Sequence, residues 1–545
     1  MKKIIYSIAI AASCFTLYSC LGDLDALPLN ETDKVAEQAY KTKEDFEKGL
    51  AYIYGSFSLV SQNDPGSADI NVSDAGQSEL IRQYTFLNEA SADALKCSWG
   101  DSYVNDIQNN SWTSTPNSAT TAVYTRCMMA VTRANEFLIQ SGKSSIEGLE
   151  ELRAEARFLR AFADYLLMDL YGNPPFALEE NIGGALPQQI GRAALFEWIE
   201  GELKDLIAGN GLAEAGAVAY PRVTKGSAQA LLARMYLNAE VYTGTARWQD
   251  ARDAAEAVIN MSYQLCTNYE ELFLQDNGEN ANAQKEFIFA IAYDRDKTQS
   301  WGGTTHLVSA SMDDDASKAV AAELGFPEGT LMNRERWNGY HVPDEYVSAY
   351  FDLSNVEWGG TGIGYDRAHS DKRAFFCNFG CTPAYSKSEP TTGWRCWKFT
   401  SRDSQGNVYS SDSYSLYSSA DFPVIRLAEM YLIYAEAQAR IDGGTTADTK
   451  AIGYIKALRD RAGVDTPLSL STDFLLQERA RELMWEGHRR TDLIRYGYFT
   501  SMQFPWPYKG GVPDGKTSLE SYRTIYPILQ SDMTENYNLV QNPGY

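Results

Sequence analysis

Apolar residues recur at threes and fours through long alanine-rich stretches, and this spacing restricts most of the chain to packed α-helices. In residues 152–170 the series is Leu152, Ala156, Leu159, Ala163, Leu166 and Leu170, one stripe of a 3.6-residue period. The stripe stops at Tyr171-Gly172-Asn173-Pro174-Pro175, where one glycine and two prolines break the pattern. The same spacing predicts helices over residues 122–139, 194–207, 224–239, 248–260, 423–440, 449–462 and 473–496. Residues 224–239 and 248–260 flank Tyr242-Thr243-Gly244-Thr245 and read as a helix–turn–helix pair, as do 423–440 and 449–462. Alanines such as Ala228, Ala230 and Ala233 let helices approach closely, and aromatics such as Tyr236 fill the gaps. This is the packing logic of tetratricopeptide-like repeats, which supply a rigid frame rather than chemistry. The expected fold is therefore mostly α, with a tetratricopeptide-like helix-pair frame over residues 36–260 and 421–500.

Residues 261–420 differ. Periodicity is weak, Gly, Ser, Asn and Asp punctuate the stretch, and Trp301, Trp337, Trp358, Trp394 and Trp397 fall within it, five of the chain's 11 tryptophans. Long loops in a compact protein are usually functional. This stretch is the expected variable, ligand-binding region, although each tryptophan also has a plain role in packing loops onto the frame.

The N-terminus fixes the compartment. Lys2 and Lys3 precede an apolar run from residue 4 to 18, too short to span a bilayer but suited to an export signal. The run ends in Leu17-Tyr18-Ser19-Cys20 and turns polar at once. That ending resembles a bacterial lipobox, which makes residues 1–19 a lipoprotein signal peptide and Cys20 the lipidated first residue of a single mature domain, 20–545. No later run of ~20 apolar residues follows, so the lipid is the expected membrane anchor.

The remaining chemistry is sparse. With 48 basic and 72 acidic residues the formal charge is −24, which repels phosphate backbones, and nucleic acid is not an expected partner. No HExxH, phosphate-binding glycine loop or G-x-S-x-G elbow occurs among the 545 residues. Cys377, Cys381 and Cys396, with His369 upstream, have metal-like spacing but read better as a loop disulfide or as buried thiols. Asp276-Asn277-Gly278-Glu279-Asn280 lacks the acidic spacing of an EF-hand and reads as a solvated turn. His488 lies in Trp485-Glu486-Gly487-His488-Arg489-Arg490-Thr491-Asp492. It is expected in a buried polar knot, with Arg489 or Arg490 pairing Glu486 or Asp492. No metal or other cofactor is assigned. What remains is an exported acidic frame with aromatic loops, and aromatic faces flanked by hydrogen-bonding side chains suit sugar rings.

Several segments carry a family resemblance. They include Ala154-Glu155-Ala156-Arg157-Phe158-Leu159-Arg160-Ala161 running to Asn173-Pro174-Pro175-Phe176, and Ala230-Leu231-Leu232-Ala233-Arg234-Met235-Tyr236-Leu237. Arg426-Leu427-Ala428-Glu429-Met430-Tyr431, Leu458-Arg459-Asp460-Arg461-Ala462-Gly463 and Glu478-Arg479-Ala480-Arg481-Glu482-Leu483 follow in order, then the Trp485–Asp492 stretch. In these the chain resembles the SusD/RagB family of outer-membrane nutrient-binding lipoproteins over nearly its whole length.

The resemblance implies a non-catalytic protein at the cell surface. It would bind oligosaccharide or polysaccharide and pass it to a SusC-like, TonB-dependent outer-membrane β-barrel. Cys266-Thr267-Asn268-Tyr269-Glu270 and Trp301-Gly302-Gly303-Thr304-Thr305-His306 look like the starch-binding branch, where three aromatics cup a curved α-glucan. By position those aromatics fall on Trp99, Trp301 and Trp337, a flanking arginine on Arg82 and a polar contact near Ser102, where that branch carries an amide. Asn338 is a further candidate for a sugar hydroxyl. Two other readings are a helical-repeat adaptor without a sugar site and a surface glycosidase, which would need two carboxylates across a cleft.

Overall fold

The computed structural model describes residues 39–62, 64–181, 184–326, 335–353, 356, 358, 371–407 and 416–545. The expected signal peptide, Cys20 and His369 lie outside these residues. In chain order the helices that matter here begin with α1 (Lys43–Tyr54), α2 (Leu80–Glu89), α3 (Ser102–Gln108), α4 (Ser118–Lys143) and α5 (Glu150–Tyr171). Next come α6 (Arg192–Ala208), α7 (Lys225–Leu237), α8 (Trp248–Ile259), α9 (Gly303–Ala310) and α10 (Asp314–Leu324). The last are α11 (Leu427–Ile441), α12 (Thr449–Ala462), α13 (Thr472–Leu483) and α14 (Arg489–Arg495).

The periodic segments fold as helices close to their expected limits. Asn117 accepts the Thr120 N–H at 3.0 Å and starts α4, an N-cap that satisfies one orphan donor. α5 ends at Gly172, φ 73°, inside the expected stop. From α4 to α8 each helix packs on the next, α8 then packs on α11, and α11 on α12 and α13. The N-terminal helix pairs and the C-terminal ones therefore share one continuous frame. Among the described residues no helix is long and apolar enough to cross a membrane.

Three expectations are corrected. Residues 423–426 are not the start of a helix: Phe422–Arg426 is a strand paired antiparallel with Phe287–Ile291. Both strands are buried along their whole length, and the four apolar residues Phe422–Ile425 are too short a run to have a period that separates strand from helix. The expected helix 473–496 is split between α13 and α14. Trp485 (φ 61°) and Gly487 (φ 80°) break it, and Glu89 Oε1 accepts the N–H groups of Gly487 (2.8 Å) and His488 (3.1 Å). Finally, α9 and α10 occupy part of the stretch expected to be loop. Every residue of α9 is buried, so it has no polar face to create a periodic signal.

The polar knot around His488 exists with other partners. Arg489 pairs Asp93 (2.6 Å), Glu486 pairs Arg426 (2.7 Å) and Lys398 (2.6 Å), and Asp492 pairs Arg479 and Arg495, both at 2.8 Å. The turn at Asp276 is solvated at Glu279 and partly at Asp276, Gly278 and Asn280, but it is anchored from inside by Asn277. Asn277 is fully buried, donates to Leu272 O and Asp421 O, and accepts from Asp421 N. Cys97, Cys127, Cys266, Cys377, Cys381 and Cys396 are all buried free thiols.

Candidate functional site

Trp99, Trp301 and Trp337 come from three separate segments and meet at one groove. Trp99 follows the two-residue strand Lys96–Cys97, which pairs with Tyr340–His341 in the register Lys96↔His341 and Cys97↔Tyr340. This ladder sets the segment before Tyr340 alongside Trp99. Ser98 N–H donates to Gly339 O at 2.9 Å, and the Trp99 indole N–H reaches Trp337 O at 3.4 Å. Trp337 is tied to the end of α9 through its N–H on Ser309 O at 2.7 Å. Gly339 is required by this approach, since a Cβ there would stand 2.1 Å from Trp99 Cε2.

Trp301 lies two residues before α9, and one buried carboxylate holds it in place. Glu79 caps α2 by accepting Arg82 N–H at 2.7 Å, and the same oxygen accepts the first N–H of α9, from Gly303, at 2.7 Å. Its other oxygen accepts the Tyr293 hydroxyl at 2.7 Å. Burial pushes the Glu79 carboxyl pKa up against these hydrogen bonds. Stapled together, α2 and α9 bring Arg82 to Trp301: the guanidinium lies 3.3 Å from Trp301 O and 3.7 Å from Asp74 Oδ1.

The ring centroids of Trp99 and Trp337 are 6.3 Å apart at 70°, and those of Trp301 and Trp337 6.0 Å apart at 50°. All three indoles are partly exposed. Adjacent rings turned by such angles make a bent surface rather than a flat one. Beneath them His306 of α9 lies 5.4 Å from Trp99 and 5.6 Å from Trp337. It is fully buried, and among the described residues neither ring nitrogen has a hydrogen-bond partner. Burial, reinforced by the Arg82 charge, holds its pKa well below the usual imidazole value. His306 is thus a neutral aromatic floor.

The groove has a volume of about 610 Å³ and is lined by Trp99, Trp301, Trp337, Arg82, Asp74, Gln77 and Asp101 with Gly66, Ala75 and Gly76. Of the residues expected from sequence, Arg82 and the three tryptophans converge here. Ser102 opens α3 one residue beyond the lining Asp101 and is exposed. Asn338 is not brought to the groove: its amide donates to Asp313 (3.1 Å) and accepts from Arg395 (3.2 Å). Asp74, Gln77 and Asp101 were missed, as was Tyr417, whose ring lies 4.9 Å from Trp301. Their neighbours in sequence carry no motif, and a groove built from residues 66–101, 301–337 and 417 has no local spacing to betray it. Cavities of similar volume occur elsewhere, one beside Tyr269, Lys372 and Arg461. That one has no indole in its lining, and another, beside Tyr350 and Phe351, is lined by two, Trp358 and Trp394, rather than three.

Comparison with known proteins places these features in context. A family model described as "SusD family" matches residues 285–545, and one described as "Starch-binding associating with outer membrane" matches residues 66–237. The chain is similar to the starch-binding protein SusD of Bacteroides thetaiotaomicron, with 31% identity covering 100% of this chain and 99% of the relative. In fold it is similar to the crystal structure of a SusD homolog from the same organism, with TM-score 0.70, 19% identity and coverage of 94% and 98% of the two chains. It is also similar to surface glycan-binding protein A of Bacteroides thetaiotaomicron in complex with laminarihexaose, with TM-score 0.67, 19% identity and coverage of 92% and 100%.

Proposed function

The chain belongs to the SusD family, and from that premise we propose that it is a non-catalytic glycan-binding lipoprotein of the outer-membrane surface. The observation that carries the reading is the juxtaposition of Trp99, Trp301 and Trp337 at successive separations of 6.3 and 6.0 Å beside Arg82. The C–H face of a sugar ring stacks on an indole, while polar side chains at the edge take the hydroxyls. Three indoles at an angle to one another suit a chain that curves. A starch-like α-glucan is the first choice of ligand, supported by the full-length relative named for starch binding. A laminarin-type β-glucan is the competitor, supported by the relative in complex with laminarihexaose.

Arg82 and the rim groups Asp74, Gln77 and Asp101 supply the polar contacts in this reading. Ser102 adds one at the mouth of the groove, and Asn338 does not take part because its amide is already engaged. Cys20 carries the lipid, and captured oligosaccharide passes to a SusC-like, TonB-dependent β-barrel on which the lipoprotein sits. The relatives are named as binding proteins rather than as hydrolases, which supports the absence of turnover.

Stacking on an aromatic side chain is worth about 1–3 kcal/mol per ring by the measure of nucleic-acid bases. Trp99→Ala combined with Trp301→Ala is expected to abolish retention in affinity electrophoresis on every glycan that the parent binds. Retention at the parent level would place the ligand elsewhere.

A further inference from the structure

We infer that the groove carries an acidic rim, Asp74 and Asp101, that selects uncharged glycans and excludes chains bearing uronate or sulfate groups. This rests on the glycan-binding reading of the same groove and adds the charge class of the ligand. Among the described residues that line the groove, Arg82 is the one cation and Asp74 and Asp101 are the carboxylates. Asp64 stands just behind, accepting the N–H of the lining Gly66 at 2.8 Å.

The opposing charges are not equally available. The Arg82 side chain is only 9% exposed, and its guanidinium faces Trp301 O and Asp74. The Asp74 side chain is 56% exposed. Gln77 lies between the two acids: its backbone N–H donates to Asp74 Oδ1 at 2.8 Å and its side-chain amide to Asp101 Oδ1 at 3.4 Å. A ligand in the groove therefore meets two carboxylates on the solvent side and a guanidinium that is largely covered and paired with one of them. Neutral sugar hydroxyls donate to carboxylates in charge-assisted hydrogen bonds. A carboxylate or sulfate on the sugar is repelled by them, in a chain whose overall charge of −24 adds to the effect.

The test isolates charge from shape. Maltooligosaccharides and laminarioligosaccharides are each compared with the same chains oxidised at C6 to the uronate, by calorimetry on the mature protein. For whichever neutral oligosaccharide binds, the oxidised form is expected to bind the parent at least about tenfold more weakly at low salt, a difference that shrinks at about 0.5 M salt. In Asp74→Asn/Asp101→Asn the ratio between the two forms should fall within about threefold, while the neutral form itself binds more weakly because its charge-assisted hydrogen bonds are lost. The amide oxygens can still accept from Gln77, and Asp101 caps α3 without a side-chain hydrogen bond, so the variant should fold. An oxidised chain that binds the parent as well as its neutral form, or a difference that survives both salt and the double substitution, overturns the rim. A parent that binds neither neutral series, nor any neutral glycan on an array, overturns the groove reading itself and the rim with it.

Discussion

Glu79 receives hydrogen bonds from the Arg82 N–H, the Gly303 N–H and the Tyr293 hydroxyl, each at 2.7 Å, so one side chain fixes both helices that present the groove. Its value is geometric more than electrostatic, because burial opposes its charge. Glu79→Gln keeps one oxygen for the two backbone donors and can turn its amide to the tyrosine oxygen. It is expected to cost less than about 1 kcal/mol and to preserve glycan retention. Glu79→Ala leaves buried donors without partners and is expected to cost about 2–4 kcal/mol in urea unfolding, with loss of retention in the surviving folded fraction. Equal effects of the two substitutions would remove Glu79 from this role. Apart from its local cap on Arg82, nothing near Glu79 in sequence announces this role, since Tyr293 and Gly303 lie 214 and 224 residues away. The tryptophans and Arg82 could be placed through family resemblance, whereas Asp74, Gln77 and Asp101 become a rim only when the chain is folded.

At the scale of elements, legibility followed amphipathicity. α6 and α8 each bury one stripe and were visible as a period, and α5 was legible by its length although residues 158–171 are buried all round, while the short α9, also buried all round, and the strand Phe422–Arg426 were not. The break between α13 and α14 was hidden for another reason: residues 473–496 keep helical spacing, and the interruption is imposed by a neighbour. Gly487 faces Tyr84 of α2, where a Cβ would come within 2.4 Å of the ring, and its φ of 80° disfavours any side chain. Gly487→Ala therefore meets left-handed backbone strain and overpacking together, and is expected to lower stability by about 2–4 kcal/mol. The midpoint of chemical unfolding measures this. A variant as stable as the parent would mean that the two helices can join without harm.

Across the whole molecule, buried ion pairs bind the middle of the chain to the C-terminal helices. Arg426, at the end of its strand, meets Glu286 (2.8 Å), Glu482 (2.7 Å) and Glu486 (2.7 Å). Arg373 meets Glu478 (2.8 Å) and Glu482 (2.9 Å), Lys398 meets Glu486, and Arg461 of α12 pairs with Glu286 and Glu482. The sequence shows these charges, but their pairings run across long sequence separations, so local spacing pointed His488's neighbours to the wrong partners. Glu482 of α13 sits among three guanidiniums, and removing it leaves each with one fewer carboxylate in a buried site. Glu482→Ala is expected to cost about 3–5 kcal/mol for that reason.

The same residue sets a pH dependence of known sign. Although burial alone would raise its pKa, the Arg461, Arg426 and Arg373 charges hold the Glu482 carboxyl far below the usual range. The unfolded chain therefore binds a proton that the folded chain refuses. Stability from this group is complete above the unfolded value of about 4.3 and is lost as pH falls below it. Unfolding measured from pH 7 to pH 3 should show the gap between parent and Glu482→Ala closing on the acid side. Because no member of the network lines the tryptophan groove, the variant should still retain glycan at temperatures where it is folded. A gap independent of pH would assign the loss to packing, and lost retention in a folded variant would mean that the network also shapes the groove.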